Sequence, residues 1–184
     1  MRLFVALEVP DEVRGRLDAA VAPVRPRHPK LAWTSAEGWH LTLAFLGEVA
    51  AEPSDIAAVL APVAADAPAA GIRLSLGQAG RFGRRVLWVG VRDEPAGAVA
   101  ALGAGTQRAL AEKDLPVDLK EVKPHLTVAR ARRGGGEVTA SLVAAIPSVQ
   151  SGWTAREVVL MRSVRLGQRR PNRYEPLRRL PLGG

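Results

Sequence analysis

The feature that most constrains this chain is a tetrapeptide that occurs twice, His40-Leu41-Thr42-Leu43 and His125-Leu126-Thr127-Val128. Strand side chains alternate with period two. In each copy the histidine and threonine therefore share one face, while two aliphatic residues fill the other. Both copies must sit where a sheet is apolar behind and polar in front. Chance does not account for the pairing. With three histidines and six threonines among 184 residues, two histidines gain a threonine two places on in roughly a few cases per thousand. His28, between Arg27 and Pro29, reads as surface.

The copies occupy matching places in a repeated order of elements. Leu3 to Glu8 alternates as a strand, and Asp11 to Val24 carries the helical stripe Val13, Leu17, Val21, Val24. A Pro-rich loop leads to a strand from about Trp39 to Leu46. Ser54 is positioned to cap a helix bearing Ile56, Val59, Leu60 and Val63. Ile72, Leu74 and Leu76 form a strand ahead of a turn at Arg81-Phe82-Gly83-Arg84. The order then begins again. A strand over Val86 to Val91 is followed by a helix over Pro95 to Lys113, weakened by Gly97, Gly103 and Gly105. A strand from Lys123 to Arg130 and a helix from Glu137 to Ile146 follow, with further strands at Glu157 to Leu166 and Arg173 to Leu180. Leu3 lies 37 positions before His40, and Val86 lies 39 before His125.

These spacings predict an α+β fold of one bilobal domain over residues 1–184. Its pseudo-repeats are residues 1–80 and 85–166, with a closing strand at 172–180. Each repeat is a strand–helix–strand–helix–strand unit, and antiparallel-leaning sheets face a central cleft. In such a cleft two imidazoles can transfer protons, and the hydroxyls of Thr42 and Thr127 can donate to the oxygens of a bound phosphate diester.

Composition closes off other classes. No cysteine is present, which removes disulfides and thiolate metal sites. No apolar run approaches a membrane span, and the opening segment, with Glu8, is too short and too polar for a secretory signal. A cytoplasmic monomer is expected. The net charge is +8, and eight arginines fall between Arg156 and Arg179 against Glu157 and Glu175. That field suits a nucleic-acid partner, although a solvated basic face would look the same. A zinc site lacks cysteine and a His-Glu-x-x-His helix. Gly134-Gly135-Gly136 lacks the Gly-Lys-Ser/Thr of a nucleotide-binding loop. A non-catalytic RNA-binding module would use the arginines but leave the paired motifs without a purpose.

The segments Trp39-His40-Leu41-Thr42-Leu43-Ala44-Phe45-Leu46-Gly47 and Pro124-His125-Leu126-Thr127-Val128-Ala129-Arg130 resemble the two signature motifs of the 2H phosphoesterases. The Arg2-to-Glu8 opening, Leu160-Met161-Arg162-Ser163 and Tyr174-Glu175 extend the likeness to the bacterial RNA 2',3'-cyclic phosphodiesterases, also called 2'-5' RNA ligases. The resemblance implies hydrolysis of RNA 2',3'-cyclic phosphate ends to 2'-phosphate, with reversible 2'-5' ligation as a companion reaction. It implies neither a metal nor a nucleotide cofactor. It makes His40 the general acid and His125 the general base. It also suggests Arg130 as a phosphate contact. Strict alternation from His125 puts Arg130 on the wrong face, so either the strand ends or bulges before it, or Arg130 is an ordinary surface charge.

Overall fold

In the computed structural model, which describes residues 1–132, 134–167 and 172–184, nine strands form two wholly antiparallel sheets. The elements in chain order are β1 (Arg2–Glu8), α1 (Asp11–Val21), β2 (Leu31–Trp33), β3 (His40–Glu48), α2 (Pro53–Ala65), β4 (Ile72–Phe82) and β5 (Val86–Glu94). They continue as α3 (Ala98–Ala111), β6 (His125–Ala131), α4 (Ala140–Ala144), β7 (Gly152–Ala155), β8 (Glu157–Val164) and β9 (Arg173–Pro181). The first sheet has the order β3-β1-β8-β9 and the second β2-β6-β5-β4-β7.

The duplication in sequence and the division in space do not coincide. Strands β2 and β4, from the first half of the chain, belong to the second sheet, and β8 and β9 return to the first. The tight hairpin between β4 and β5 explains part of this. Phe82 pairs with Val86 across a turn in which Gly83 takes φ +54°, and two strands so joined stay neighbours. Each motif strand still pairs with the strand that opens its half, β3 with β1 and β6 with β5.

The ends of elements differ from the sequence pattern for local reasons. Helix α1 stops at Val21 rather than Val24, because Pro23 has no N–H to continue the helical ladder; Ala22 still takes helical angles, and Val24 N–H turns to the Val21 carbonyl. Helix α2 is capped by Glu52, not Ser54, since Pro53 fits the first helical position. Helix α3 is shorter than 95–113 and begins after Gly97 at φ +86°. Its internal glycines have a packing reason: a Cβ at Gly103 would lie 2.4 Å from Val122 Cγ2. Arg81 and Phe82 belong to β4, not to the turn. Helix α4 is only five residues long, capped where Thr139 Oγ1 accepts from Leu142 N–H. Strands β2 and β7, of three and four residues, are additions to the sequence pattern, being too short to show a period.

One contiguous core joins both sheets and the helices. Strand β1 is buried on both faces: Leu3, Val5 and Leu7 enter that core. Phe4 and Ala6 join Val159 and Met161 in a smaller cluster under the other face, against which Tyr174 packs. Among the described residues no helix is long and apolar enough to cross a membrane.

Candidate active site

The two motif strands meet at one cleft of about 480 Å³, lined among others by His40, Thr42, His125, Thr127, Arg130 and Tyr174. The five residues singled out from the sequence for chemistry are therefore together. Each histidine is the first residue of its strand, and each ring is tied to the chain two residues earlier. His40 Nδ1–H donates to the Gly38 carbonyl at 2.9 Å, and His125 Nδ1–H donates to the Lys123 carbonyl at 2.6 Å. A carbonyl oxygen only accepts, so the proton stays on Nδ1 and Nε2 is the nitrogen left to exchange a proton.

The same irregularity recurs in both strands. In β3, Val5 pairs with Ala44 and Ala6 with Thr42, so Leu43 has no counterpart in β1. In β6, Leu87 pairs with Ala129 and Trp88 with Thr127, so Val128 has none in β5. Two successive residues are buried at each bulge, Leu43-Ala44 and Val128-Ala129, and the alternation then resumes in opposite phase. The bulge in β6 turns Arg130 back to the cleft face, which answers the alternation problem. Its counterpart in β3 turns out Phe45, which is 50% exposed and also lines the cleft. Arg130 Nη2 lies 3.4 Å from Thr127 Oγ1 and donates to it.

The imidazoles stand in unequal surroundings. His40 lies between the rings of Phe4 and Tyr174, at centroid distances of 4.7 and 4.9 Å. His125 meets the edge of Phe82 at 4.9 Å. Burial pushes the His40 pKa down to about 4, opposed by the Gly38 carbonyl and aided by the charges of Arg130 and Arg14. His125 is lowered by burial, with the Lys123 carbonyl opposing and Arg130 assisting. Burial raises Tyr174, against the pull of Arg130 and Arg2. The cleft thus holds two neutral imidazoles beside a guanidinium, a field prepared for an anion. Among the described residues no three His, Cys, Asp or Glu side chains come together as a metal would need.

Several contributors are not evident from the sequence. Tyr174 lies far along the chain from either motif, and only the fold brings it to His40. Gln107, on α3 and 6% exposed, donates from Nε2 to the Leu43 carbonyl at 2.9 Å, and its Oε1 accepts from Lys120 N–H at 2.8 Å. It ties the bulge of the first motif to the loop leading into the second. A signal is present: Thr106 and Gln107 are polar residues among Val99, Leu102 and Leu110 on one buried helical face. Three of the six described arginines of the basic stretch are paired within the fold. Arg162 and Arg173 pair with Glu175, and Arg179 pairs with Glu8 and Glu157. Arg169 and Arg170 lie outside the described residues.

Residues 9–166 match the 2'-5' RNA ligase superfamily. The chain belongs to that family. Among curated proteins it is 30% identical to an RNA 2',3'-cyclic phosphodiesterase of Escherichia coli strain K12, over 98% of this chain and 96% of that protein. It is 27% identical to an RNA 2',3'-cyclic phosphodiesterase of Geobacillus stearothermophilus over 98% of this chain. That alignment spans only 57% of the relative's length. Among solved structures, TT0787 of Thermus thermophilus superposes with a TM-score of 0.78 at 28% identity, covering 100% of this chain and 99% of the other.

Proposed function

We propose that this chain is an RNA 2',3'-cyclic phosphodiesterase that opens the cyclic phosphate to a 2'-phosphate by acid–base catalysis with His40 and His125. The observation that carries the reading is the symmetric tethering of the two rings. Each imidazole has Nδ1–H held by a carbonyl two residues back, and both line one cleft. Names of relatives across nearly the whole chain support the same activity.

In the proposed reaction His125 Nε2 takes a proton from water as the oxygen attacks phosphorus. The bond from phosphorus to the 3' oxygen breaks, and His40 Nε2 gives that oxygen its proton. Thr42, Thr127 and Arg130 bind the non-bridging oxygens, where charge accumulates. The same steps with an RNA 5' hydroxyl in place of water would give 2'-5' ligation, and their reverse would cleave that linkage back to the cyclic phosphate. One requirement follows from the electrostatics. At a pKa of about 4, His40 is protonated in roughly one molecule per thousand at pH 7. Substrate binding must raise that value, and the anionic phosphate supplies the opposite charge that does so.

The test is incubation of the protein with a short RNA ending in a 2',3'-cyclic phosphate, with chelator present, beside His40→Ala and His125→Ala. The expected product is a 2'-phosphate, with each variant slower by about 10²–10⁴-fold. A wild type that binds the RNA without turnover would leave a binding module instead.

A further inference from the structure

The proposed reaction places one phosphate in the cleft, and an RNA strand would extend beyond it. We propose that the tip of the β4–β5 hairpin carries the nucleotide before the cyclic-phosphate end of a single-stranded RNA, with Phe82 as its stacking face and Arg85 as a phosphate contact. This rests on the function proposed above.

Phe82 is the last residue of β4 and is 37% exposed, an unusual place for a phenyl ring that no core requires. It stands outside the cleft but edge-on to His125, with its centroid 4.9 Å from the imidazole. Its other side leans on Trp88 at 5.3 Å. Trp88 can lie there because its cross-strand partner is Gly80. A Cβ at Gly80 would fall 2.1 Å from Trp88 Cη2. The result is an aromatic shelf that starts at the second catalytic candidate and leads away from it.

The shelf is rigid and basic. Ala131 N–H donates to the Arg85 carbonyl at 2.7 Å, and Val138 N–H donates to the Arg84 carbonyl at 2.9 Å, so the turn is pinned from β6 and from the segment before α4. Arg81 donates to the Val138 carbonyl, and Arg84 pairs with Glu137. Arg85 is exposed and has no ion pair among the described residues, and its neighbour Val86 pairs with Arg130 of the cleft. In the arginine-rich stretch conspicuous in the sequence, three of the six described arginines, Arg162, Arg173 and Arg179, are already paired. Stacking tolerates any base, because every base has a π-face, and phosphate contacts are equally indifferent to sequence. This shelf would confer preference for length rather than for sequence.

The experiment compares kcat/KM for a cyclic-phosphate-ended trinucleotide with kcat/KM for a 2',3'-cyclic mononucleotide. Loss of packing against His125 affects both substrates, so their ratio isolates the shelf. Phe82→Ala should lower the ratio by about 10-fold, and Phe82→Trp should retain it. Arg85→Gln should reduce the salt slope for the trinucleotide by roughly 0.7 and leave the mononucleotide's slope alone. An unchanged ratio in Phe82→Ala, with wild type active on both substrates, overturns the inference but leaves the proposed reaction standing. A wild type inactive on both overturns the reaction and the inference with it.

Discussion

Replacing Gln107 with leucine tests whether α3 links the two motif strands. The side chain occupies the dry interior at 6% exposure and makes two hydrogen bonds, at 2.9 Å to the Leu43 carbonyl and 2.8 Å from Lys120 N–H. Leucine has similar volume, so little cavity opens, and its apolar surface offsets part of the loss. The two backbone groups fare differently. Leu43 is 1% exposed and has no pairing partner in β1. Stranding its carbonyl costs about 1–3 kcal/mol. Lys120 is exposed, so water can reach its N–H and the loss is smaller, about 0.5–1.5 kcal/mol. A net destabilisation of about 2–3 kcal/mol follows, which for a chain of this size lowers Tm by roughly 5–10 °C. Thermal and urea unfolding measure it, with the midpoint shifting at constant slope. Activity should fall at temperatures where the variant remains folded, because the bulge that turns Phe45 out and the loop before His125 lose their common tie. A variant with wild-type Tm and wild-type kcat would refute the link.

Three further outcomes follow from the site. Because both histidines are lowered in the free protein, kcat/KM, which reports the free enzyme, should peak below pH 6.5 and decline above it, whereas kcat should hold to higher pH once the phosphate raises His40; a kcat/KM flat from pH 6 to 9 would contradict this. Folding has the same linkage: the unfolded chain keeps a proton on His40 that the native state releases, so stability should fall as pH drops from the ordinary histidine value of 6.5 towards about 4, and acid titration of His40→Ala should show less of that loss. Thr42→Val and Thr127→Val should each slow turnover about 10–100-fold, from a hydrogen bond to a charged group worth roughly 1.5–3 kcal/mol; unchanged kinetics in both would remove the hydroxyls from the phosphate.

The chemistry of the cleft is legible in the sequence because it is local. A histidine and a threonine two apart in an aliphatic run define their own face, and the long strands and helices declare their period. What the sequence hides depends on partners distant in the chain. Strands β2 and β7 exist because β6 and β4 pair with them. The exchange of β4 and β8 between sheets follows from hairpin and pairing geometry rather than from repeat order. The bulges at Leu43 and Val128 appear only as a doubled buried position, so strict alternation misplaces Arg130. The charge of the Arg156–Arg179 stretch is visible, but the pairing of Arg162, Arg173 and Arg179 with Glu8, Glu157 and Glu175 is not.

The proposed reaction requires His40 and His125 to perform opposite proton transfers. A pH profile cannot assign them, since exchanging the two protonation states gives the same curve. A cyclic substrate with sulfur in place of the bridging 3' oxygen can, because a thiolate leaves without a proton. On that substrate His40→Ala should recover much of its lost rate, and His125→Ala should remain as slow as on the oxygen substrate. Recovery in His125→Ala alone would reverse the roles, and recovery in neither would contradict leaving-group protonation by either ring.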